Sequence, residues 1–158
     1  MYKTAQQATD YIDLLAPKIS GSQADVFLAV PFTSISSATA GAKETKILIG
    51  AQNMHDASEG AFTGEISALM LKEAGASFVL LGHSERRRYF GETDEMIHRK
   101  VVRALQDDLR PVLCIGETLE EHEAKKTQEV LEHQIKTALK KIPKTTLTSL
   151  IIAYEPVW

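Results

Sequence analysis

The sequence predicts an α/β protein in which helices alternate with parallel strands. Helical and strand patterns alternate along the chain, the strand segments are nearly continuous apolar runs, and two of these runs end at a histidine or a glutamate. Continuous apolar strands are typical of parallel sheets that are covered on both faces. This alternation leaves two architectures open, an eight-stranded barrel and an open doubly wound sheet.

Capping residues and apolar spacing mark the predicted helices. Thr4 with Gln7 and Thr118 with Glu121 form capping-box patterns, and Gly75 is placed to end a helix. The predicted helices are Thr4–Ser20, Ser34–Ala42, a helix carrying Ile66, Leu69, Met70 and Leu71, Thr93–Asp108, and Thr118–Lys141.

Five apolar runs are the predicted strands, and a polar loop spans Gln52–Thr63. The strands are Asp25–Val30, Lys46–Ala51, Ser77–Leu81, Pro111–Gly116 and a last strand that ends at Tyr154. Three further units and a first strand would bring the chain to the roughly 250 residues that a barrel requires. The chain contains no internal linker, so residues 1–158 are predicted to form one domain.

Composition excludes several classes of function. A net charge of −3 offers no basic excess for nucleic acid. The single cysteine excludes a disulfide framework and fits a reducing compartment. The chain contains no apolar run long enough to span a membrane and no apolar signal core at its N-terminus. We therefore expect a cytoplasmic protein without a membrane partner.

His83 and Glu155 are the residues most suited to proton transfer. His83 follows the glycine after one predicted strand, and Glu155 directly follows the last predicted strand. In both architectures the active site lies at these strand ends. The polar run after His83 could start a helical turn, whose N-terminus would keep the imidazole neutral. Apolar walls around Glu155 would suit it to take up a proton. The alternatives are a structural histidine and a solvated loop glutamate.

Other polar residues have less specific interpretations. Glu85 is either a second acid/base group or a partner for a lysine or arginine, and Glu117 is expected to cap a helix or form an ion pair. Arg86-Arg87-Arg88 is expected to pair with Glu85 and Glu92, the alternative being an anion site. Cys114 lies inside a strand and is expected to be a packed core thiol.

Two catalytic motifs fail on inspection. Gly82-His83-Ser84-Glu85-Arg86 begins like a nucleophile elbow, but Arg86 stands where the sharp turn needs glycine. His122-Glu123-Ala124-Lys125-Lys126 begins like the helical zinc motif, but Lys126 replaces the second histidine ligand.

Four stretches together resemble the triosephosphate isomerase family, and the resemblance covers nearly the whole chain. They are Gly50-Ala51-Gln52-Asn53 with Gly60 to Ser67, Leu81-Gly82-His83-Ser84-Glu85-Arg86-Arg87, Val112 to Glu117, and Ala153-Tyr154-Glu155-Pro156-Val157-Trp158. The resemblance implies a TIM (β/α)8 barrel, here incomplete with about five parallel strands. It also implies interconversion of dihydroxyacetone phosphate and D-glyceraldehyde 3-phosphate in glycolysis and gluconeogenesis.

Site residues follow from the same resemblance. Glu155 matches the family's catalytic base, and His83 matches its neutral electrophile, a role for which this family is itself the standard example. Glu85 matches a supporting carboxylate beside the catalytic lysine. Thr63 matches the loop tip that enters the partner subunit's active site, which implies a homodimer for a full-length parent. No metal or organic cofactor is implied.

The sequence also departs from the family pattern. The family's first strand ends in Asn-x-Lys-Met, and this chain begins at the position of that Met, so the substrate-binding Asn and Lys are absent and Lys3 has no assigned role. We therefore expect an internal fragment of a family member that lacks the first strand and everything after the start of the active-site lid. Low activity is expected of it. The alternatives are a non-catalytic chain that only associates or weakly binds a sugar phosphate, and another barrel enzyme acting on phosphorylated sugars.

Overall fold

A computed structural model describes residues 1–156 and 158, so Val157 of the last family-like stretch lies outside the described residues. The architecture is α/β, with parallel pairing between neighbouring strands. The chain divides into two compact units, Met1–Val79 and Leu80–Trp158. The single domain expected from the sequence remains a prediction.

The first unit contains three helices, two complete strands and the start of a third strand. In chain order these are α1 (Ala5–Ile19), β1 (Val26–Val30), a 3₁₀ turn (Phe32–Ser34), α2 (Ile35–Ala42), β2 (Ile47–Ala51), α3 (Ala68–Glu73) and the first residues of β3 (Phe78–Leu81). The capping box of Thr4 and Gln7 is confirmed at the start of α1.

Packing of β2 against β3 explains the glycine in the second strand. Gly50 lies opposite Phe78 in the parallel register, and a Cβ at Gly50 would lie 2.5 Å from the Phe78 ring. The ring also makes an edge-to-face contact with Phe27 of β1, with centroids 5.1 Å apart. The missing side chain of Gly50 therefore makes room for the aromatic core of this unit.

The second unit contains the end of β3, four helices and two further strands. They are α4 (Ser84–Phe90), α5 (Asp94–Gln106), β4 (Arg110–Ile115), α6 (Leu119–Glu123), α7 (Thr127–Ala138), a 3₁₀ turn (Lys144–Ser149) and β5 (Ile151–Tyr154). Strands β4 and β5 are parallel, from Val112 opposite Ile151 to Ile115 opposite Tyr154. Ile97 and Val101 of α5 are buried with Leu113 of β4.

The predicted helix Thr118–Lys141 is wrong, because two helices occupy this range. The capping box of Thr118 and Glu121 is confirmed and starts α6. Lys125 then adopts a φ of 60°, a left-handed conformation that interrupts a right-handed helix. The second helix, α7, begins at Thr127.

No helix in the described part of the chain has the length and apolar character needed to cross a membrane.

Candidate active site

Polar side chains gather in the second unit where β3, β4 and β5 end. His83 comes two residues after β3, Glu117 two residues after β4, and Glu155 directly after β5. Catalytic residues of α/β proteins usually lie at the carboxyl ends of parallel strands. The structure therefore brings two of the predicted site residues, His83 and Glu155, together with Glu117.

Gly82 turns the chain between β3 and His83. Its φ is +76°, and a Cβ there would lie 3.0 Å from Ile97 Cδ1 and 3.2 Å from the Cys114 carbonyl oxygen. Both the conformation and the available space favour glycine. His83 then precedes α4 as its N-cap residue, and its Nδ1 accepts a hydrogen bond of 3.3 Å from the Glu85 amide.

Arg87 holds this turn in place. Its Nε donates to the Gly82 carbonyl at 2.7 Å and its Nη2 donates to the Cys114 carbonyl at 3.4 Å. Its Nη1 forms an ion pair of 2.6 Å with Asp94. Arg86 pairs with Glu92 as expected, but the partner of Arg87 is Asp94 rather than Glu85 or Glu92. The planar guanidinium has enough donors to bridge all three groups.

Glu155 is held by one hydrogen bond and one close polar contact. Oε1 accepts from the Ser84 amide at 2.6 Å, and Oε2 lies 3.2 Å from Nε2 of His83. Because Nδ1 of His83 accepts from the Glu85 amide, the proton of a neutral ring lies on Nε2, the ring nitrogen that faces Oε2 of Glu155 at 3.2 Å. The carboxylate and imidazole side chains are 29% and 32% exposed, so a small ligand can reach both.

Glu117 is fully buried at the centre of a set of hydrogen-bond donors, the Glu117 cluster. Its carboxylate accepts from Thr127, Tyr154 and the indole of Trp158, at 3.1 to 3.3 Å. Burial alone would raise the pKa of Glu117, but hydrogen bonds from its own amide and from these three side chains outweigh burial and lower the pKa to about 2.

His122 completes the Glu117 cluster. Its Nδ1 lies 3.2 Å from Oε1 of Glu117, and its ring packs on the Trp158 ring with centroids 4.1 Å apart. The expectation that Glu117 caps a helix is wrong, because Thr118 caps α6. Glu117 instead accepts hydrogen bonds from the region that follows β4, from the last residue of β5 and from Trp158 beyond it.

Cys114 is a buried thiol of β4, as the sequence predicts. Burial raises its pKa to about 12, with smaller contributions from the negative charges of Glu155 and Glu92 and an opposing one from Arg87. The thiol is therefore protonated and unreactive near neutral pH.

The remaining predicted residues are exposed. Glu85 has a side chain that is 72% exposed, and its Oε2 lies 3.9 Å from His83 Nδ1, too far for a hydrogen bond. Thr63 belongs to the first unit, in a turn closed by a 2.9 Å hydrogen bond from the Glu65 amide to the Phe62 carbonyl. The roles expected of both residues stay predictions.

Two residues with clear structural roles are missed by sequence reasoning. Arg87 looks like one of three adjacent surface cations, and Gln134 looks like an ordinary polar residue of a helix. Gln134 is 8% exposed, and its amide binds the backbone of Gly116. A buried glutamine in a helix indicates a specific partner, but burial cannot be read from the sequence alone.

Comparison with known proteins identifies the family. The family model described as triosephosphate isomerase matches residues 1–158. The triosephosphate isomerase of Protochlamydia amoebophila is 51% identical over the whole chain, which covers 60% of that relative. The triosephosphate isomerase of Caldanaerobacter subterraneus subsp. tengcongensis is 46% identical, with 64% of the relative covered.

A solved structure supports the same assignment. The crystal structure of triosephosphate isomerase from Bartonella henselae matches with a TM-score of 0.91 at 40% identity, over 100% of this chain and 65% of that one. The predicted fold class, a TIM (β/α)8 barrel represented by five parallel strands, is confirmed. The chain spans 60% and 64% of the length of the two curated relatives. By sequence and by structure, this chain belongs to the triosephosphate isomerase family.

Proposed function

We propose that this protein acts as an isomerase that interconverts dihydroxyacetone phosphate and D-glyceraldehyde 3-phosphate through an enediol(ate). The observation that carries the proposal is the 3.2 Å contact between Nε2 of His83 and Oε2 of Glu155. A carboxylate and a hydrogen-bond donor this close can act on adjacent carbons of one three-carbon substrate. Family membership supports the choice of substrate.

Glu155 is the proposed base. Its carboxylate removes a proton from C1 of dihydroxyacetone phosphate, the C1–C2 double bond forms, and the carbonyl electrons move to the oxygen on C2. The hydroxyl proton on the C1 oxygen then passes to the C2 oxygen. As the carboxylic acid returns its proton to C2, the C1–C2 double bond is lost and the C1 carbonyl forms. Since the Ser84 amide binds Oε1 and His83 lies against Oε2 in the structure, the substrate must displace at least one of these two contacts.

His83 is the proposed electrophile. Its Nε2, which lies 3.2 Å from Oε2 of Glu155 in the structure, would donate a hydrogen bond to the substrate oxygen on which negative charge develops. The Glu85 amide bound to Nδ1 fixes the ring tautomer that this donation requires. The substrate oxygen thus replaces the Glu155 carboxylate as the partner of His83, which releases the base as the substrate arrives.

Further roles are proposed from family membership. Glu85 would support the active site as an anchoring carboxylate, and the turn at Thr63 would contact a second subunit in a homodimer. The exposure of both side chains is compatible with these roles. We also propose a cytoplasmic location and a role in glycolysis and gluconeogenesis.

The 158-residue chain by itself is proposed to have low activity. The proton-transfer pair supplies only part of what lowers the barrier, because positioning and electrostatic stabilisation by a whole active site supply much of the rest. The alternative is a non-catalytic chain that only associates or weakly binds a sugar phosphate. Exchange of the C1 proton separates the two, since it requires a working base but no completed isomerisation.

The test incubates the chain with dihydroxyacetone phosphate in deuterium oxide and follows the C1 proton and the product by NMR. We expect C1 exchange above the buffer rate, and a loss of about 100-fold or more in Glu155→Gln. His83→Gln should also slow the exchange. The control is Glu123→Gln, because Glu123 is an exposed glutamate of α6. Exchange equal to buffer would favour the non-catalytic alternative, and exchange that survives Glu155→Gln would overturn the assignment of the base.

A further inference from the structure

The backbone beside Glu155 is in close contact with Gly116, the residue that follows β4. A Cβ on Gly116 would lie 2.1 Å from the carbonyl oxygen of Glu155 and 2.9 Å from its carbonyl carbon. The Glu155 amide donates to the Ile115 carbonyl at 2.9 Å. Because the neighbouring atom is backbone and cannot swing aside, the end of β5 is seated directly against the bare Cα of Gly116.

A buried side chain holds Gly116 from the opposite direction. The Gly116 amide donates to Oε1 of Gln134 at 2.9 Å, and Nε2 of Gln134 donates back to the Gly116 carbonyl at 3.0 Å. One side-chain amide therefore satisfies both polar groups of one backbone residue, as a neighbouring strand would. Gln134 lies on α7 and is 8% exposed, so water does not replace this contact readily.

We propose that Gln134 is a positioning residue for Glu155 and acts through Gly116. The amide of Gln134 fixes the Gly116 backbone, the Gly116 backbone seats the Glu155 carbonyl, and the Glu155 carboxylate then meets the Ser84 amide and Nε2 of His83. The catalytic role of this positioning rests on the proposed function, whereas the effect of Gln134 on the position of Glu155 does not depend on it.

The test reads the position of Glu155 without relying on activity. The Ser84 amide proton points at Oε1 of Glu155 over 2.6 Å, so its NMR chemical shift reports directly on that hydrogen bond. In Gln134→Ala, and also in Gly116→Ala, we expect this signal to move upfield because the carboxylate retreats. Gln128→Ala is the matched control, since Gln128 is an exposed glutamine of the same helix.

A second control separates positioning from loss of stability. Ala138→Gly removes a buried methyl group near the end of α7 and weakens the helix without touching Gly116. A Ser84 signal that moves in Gln134→Ala but not in Ala138→Gly supports the inference. A signal that stays in place in Gln134→Ala, or that moves equally in Ala138→Gly, overturns it.

Proton exchange at C1 of dihydroxyacetone phosphate then tests the link to catalysis. We expect Gln134→Ala to lower kcat by about 10- to 100-fold with little change in KM, because a displaced base loses reactivity while substrate contacts elsewhere remain. If the Ser84 signal moves in Gln134→Ala but the chain shows no exchange that depends on Glu155, the proposed function is wrong and the positioning role is supported. A Ser84 signal that stays in place in Gln134→Ala, in a chain whose exchange depends on Glu155, would overturn the positioning role and support the proposed function.

Discussion

The phenolic hydroxyl of Tyr154 lies 3.1 Å from each carboxylate oxygen of Glu117 and shares its hydrogen bond between them. Tyr154 is the last residue of β5 and directly precedes Glu155, whereas Glu117 follows β4. The contact therefore joins two strand ends immediately beside the proposed base. It also depends on the charge of Glu117, which makes it sensitive to acid.

Glu117 should make the stability of the chain depend on pH in the acid range. Its pKa is lowered from 4.5 to about 2 in the folded chain, so the ionised carboxylate stabilises the fold above its unfolded pKa. This contribution is lost as the pH falls from about 4.5 through 2, because in this range the unfolded chain binds a proton at this carboxylate while the folded chain does not. Urea unfolding at a series of pH values measures the effect.

Glu117→Gln should flatten this part of the stability profile. Glu123→Gln, which changes an exposed carboxylate of α6, should leave the profile close to that of the original chain. Identical profiles for Glu117→Gln and the original chain would contradict a lowered pKa at Glu117.

Gly82→Ala should destabilise the chain by more than the same change at another glycine with positive φ. Gly82 and Gly91 have φ values of +76° and +64°, but a Cβ at Gly91 meets nothing within 4 Å. Gly91→Ala should therefore lower the free energy of unfolding only by the cost of placing alanine in a left-handed conformation, about 1–2 kcal/mol. Gly82→Ala adds crowding against Ile97 and the Cys114 carbonyl. Urea unfolding measures the free energy of unfolding of both variants, and equal losses would argue against crowding at Gly82.

Arg87→Lys should weaken the turn that presents His83. A lysine keeps the positive charge for Asp94 but cannot also donate to the carbonyls of Gly82 and Cys114. We expect a loss of about 1–3 kcal/mol in the free energy of unfolding. Arg88→Lys is the control, because Arg88 is exposed and its guanidinium lies over the Tyr89 ring. Equal free energies of unfolding for the two variants would show that Arg87 does not stabilise the turn.

Cys114 should resist alkylation in the folded chain. Burial raises its pKa to about 12, so at pH 8 the thiol carries almost no thiolate and iodoacetamide cannot reach it. Since it is the single cysteine of the chain, mass spectrometry of labelling against urea concentration should follow unfolding directly. Full labelling of the chain without urea would be inconsistent with this burial.

The strands and the positions of His83 and Glu155 could be predicted because their signals are local. An apolar run followed by a polar residue identifies a strand and the residue at its end, which puts His83 and Glu155 after β3 and β5. Parallel strands end at the same edge, so two distant residues become neighbours without any contact having to be predicted. The capping boxes at Thr4 and Thr118 are equally local.

The missed features depend on conformation or on contacts distant in the chain. The break between α6 and α7 occurs at Lys125, where neither glycine nor proline marks a left-handed residue. The contact of Gln134 with Gly116 joins residues 18 positions apart, and Arg87 reaches Cys114 over 27. Sequence patterns report periodicity within one element, so they do not reveal which backbone group a polar side chain will find.

The two polar contacts of the Glu155 carboxylate have a consequence for ligand affinity. A triose phosphate that engages the carboxylate must first displace the Ser84 amide, the His83 imidazole or both, so its dissociation constant is the net result of bonds formed and bonds broken. Ligands that bind through a phosphate group without contacting Glu155 avoid the free-energy cost of breaking these contacts. We therefore expect inorganic phosphate and full substrate analogues to differ less in affinity than their numbers of polar groups suggest.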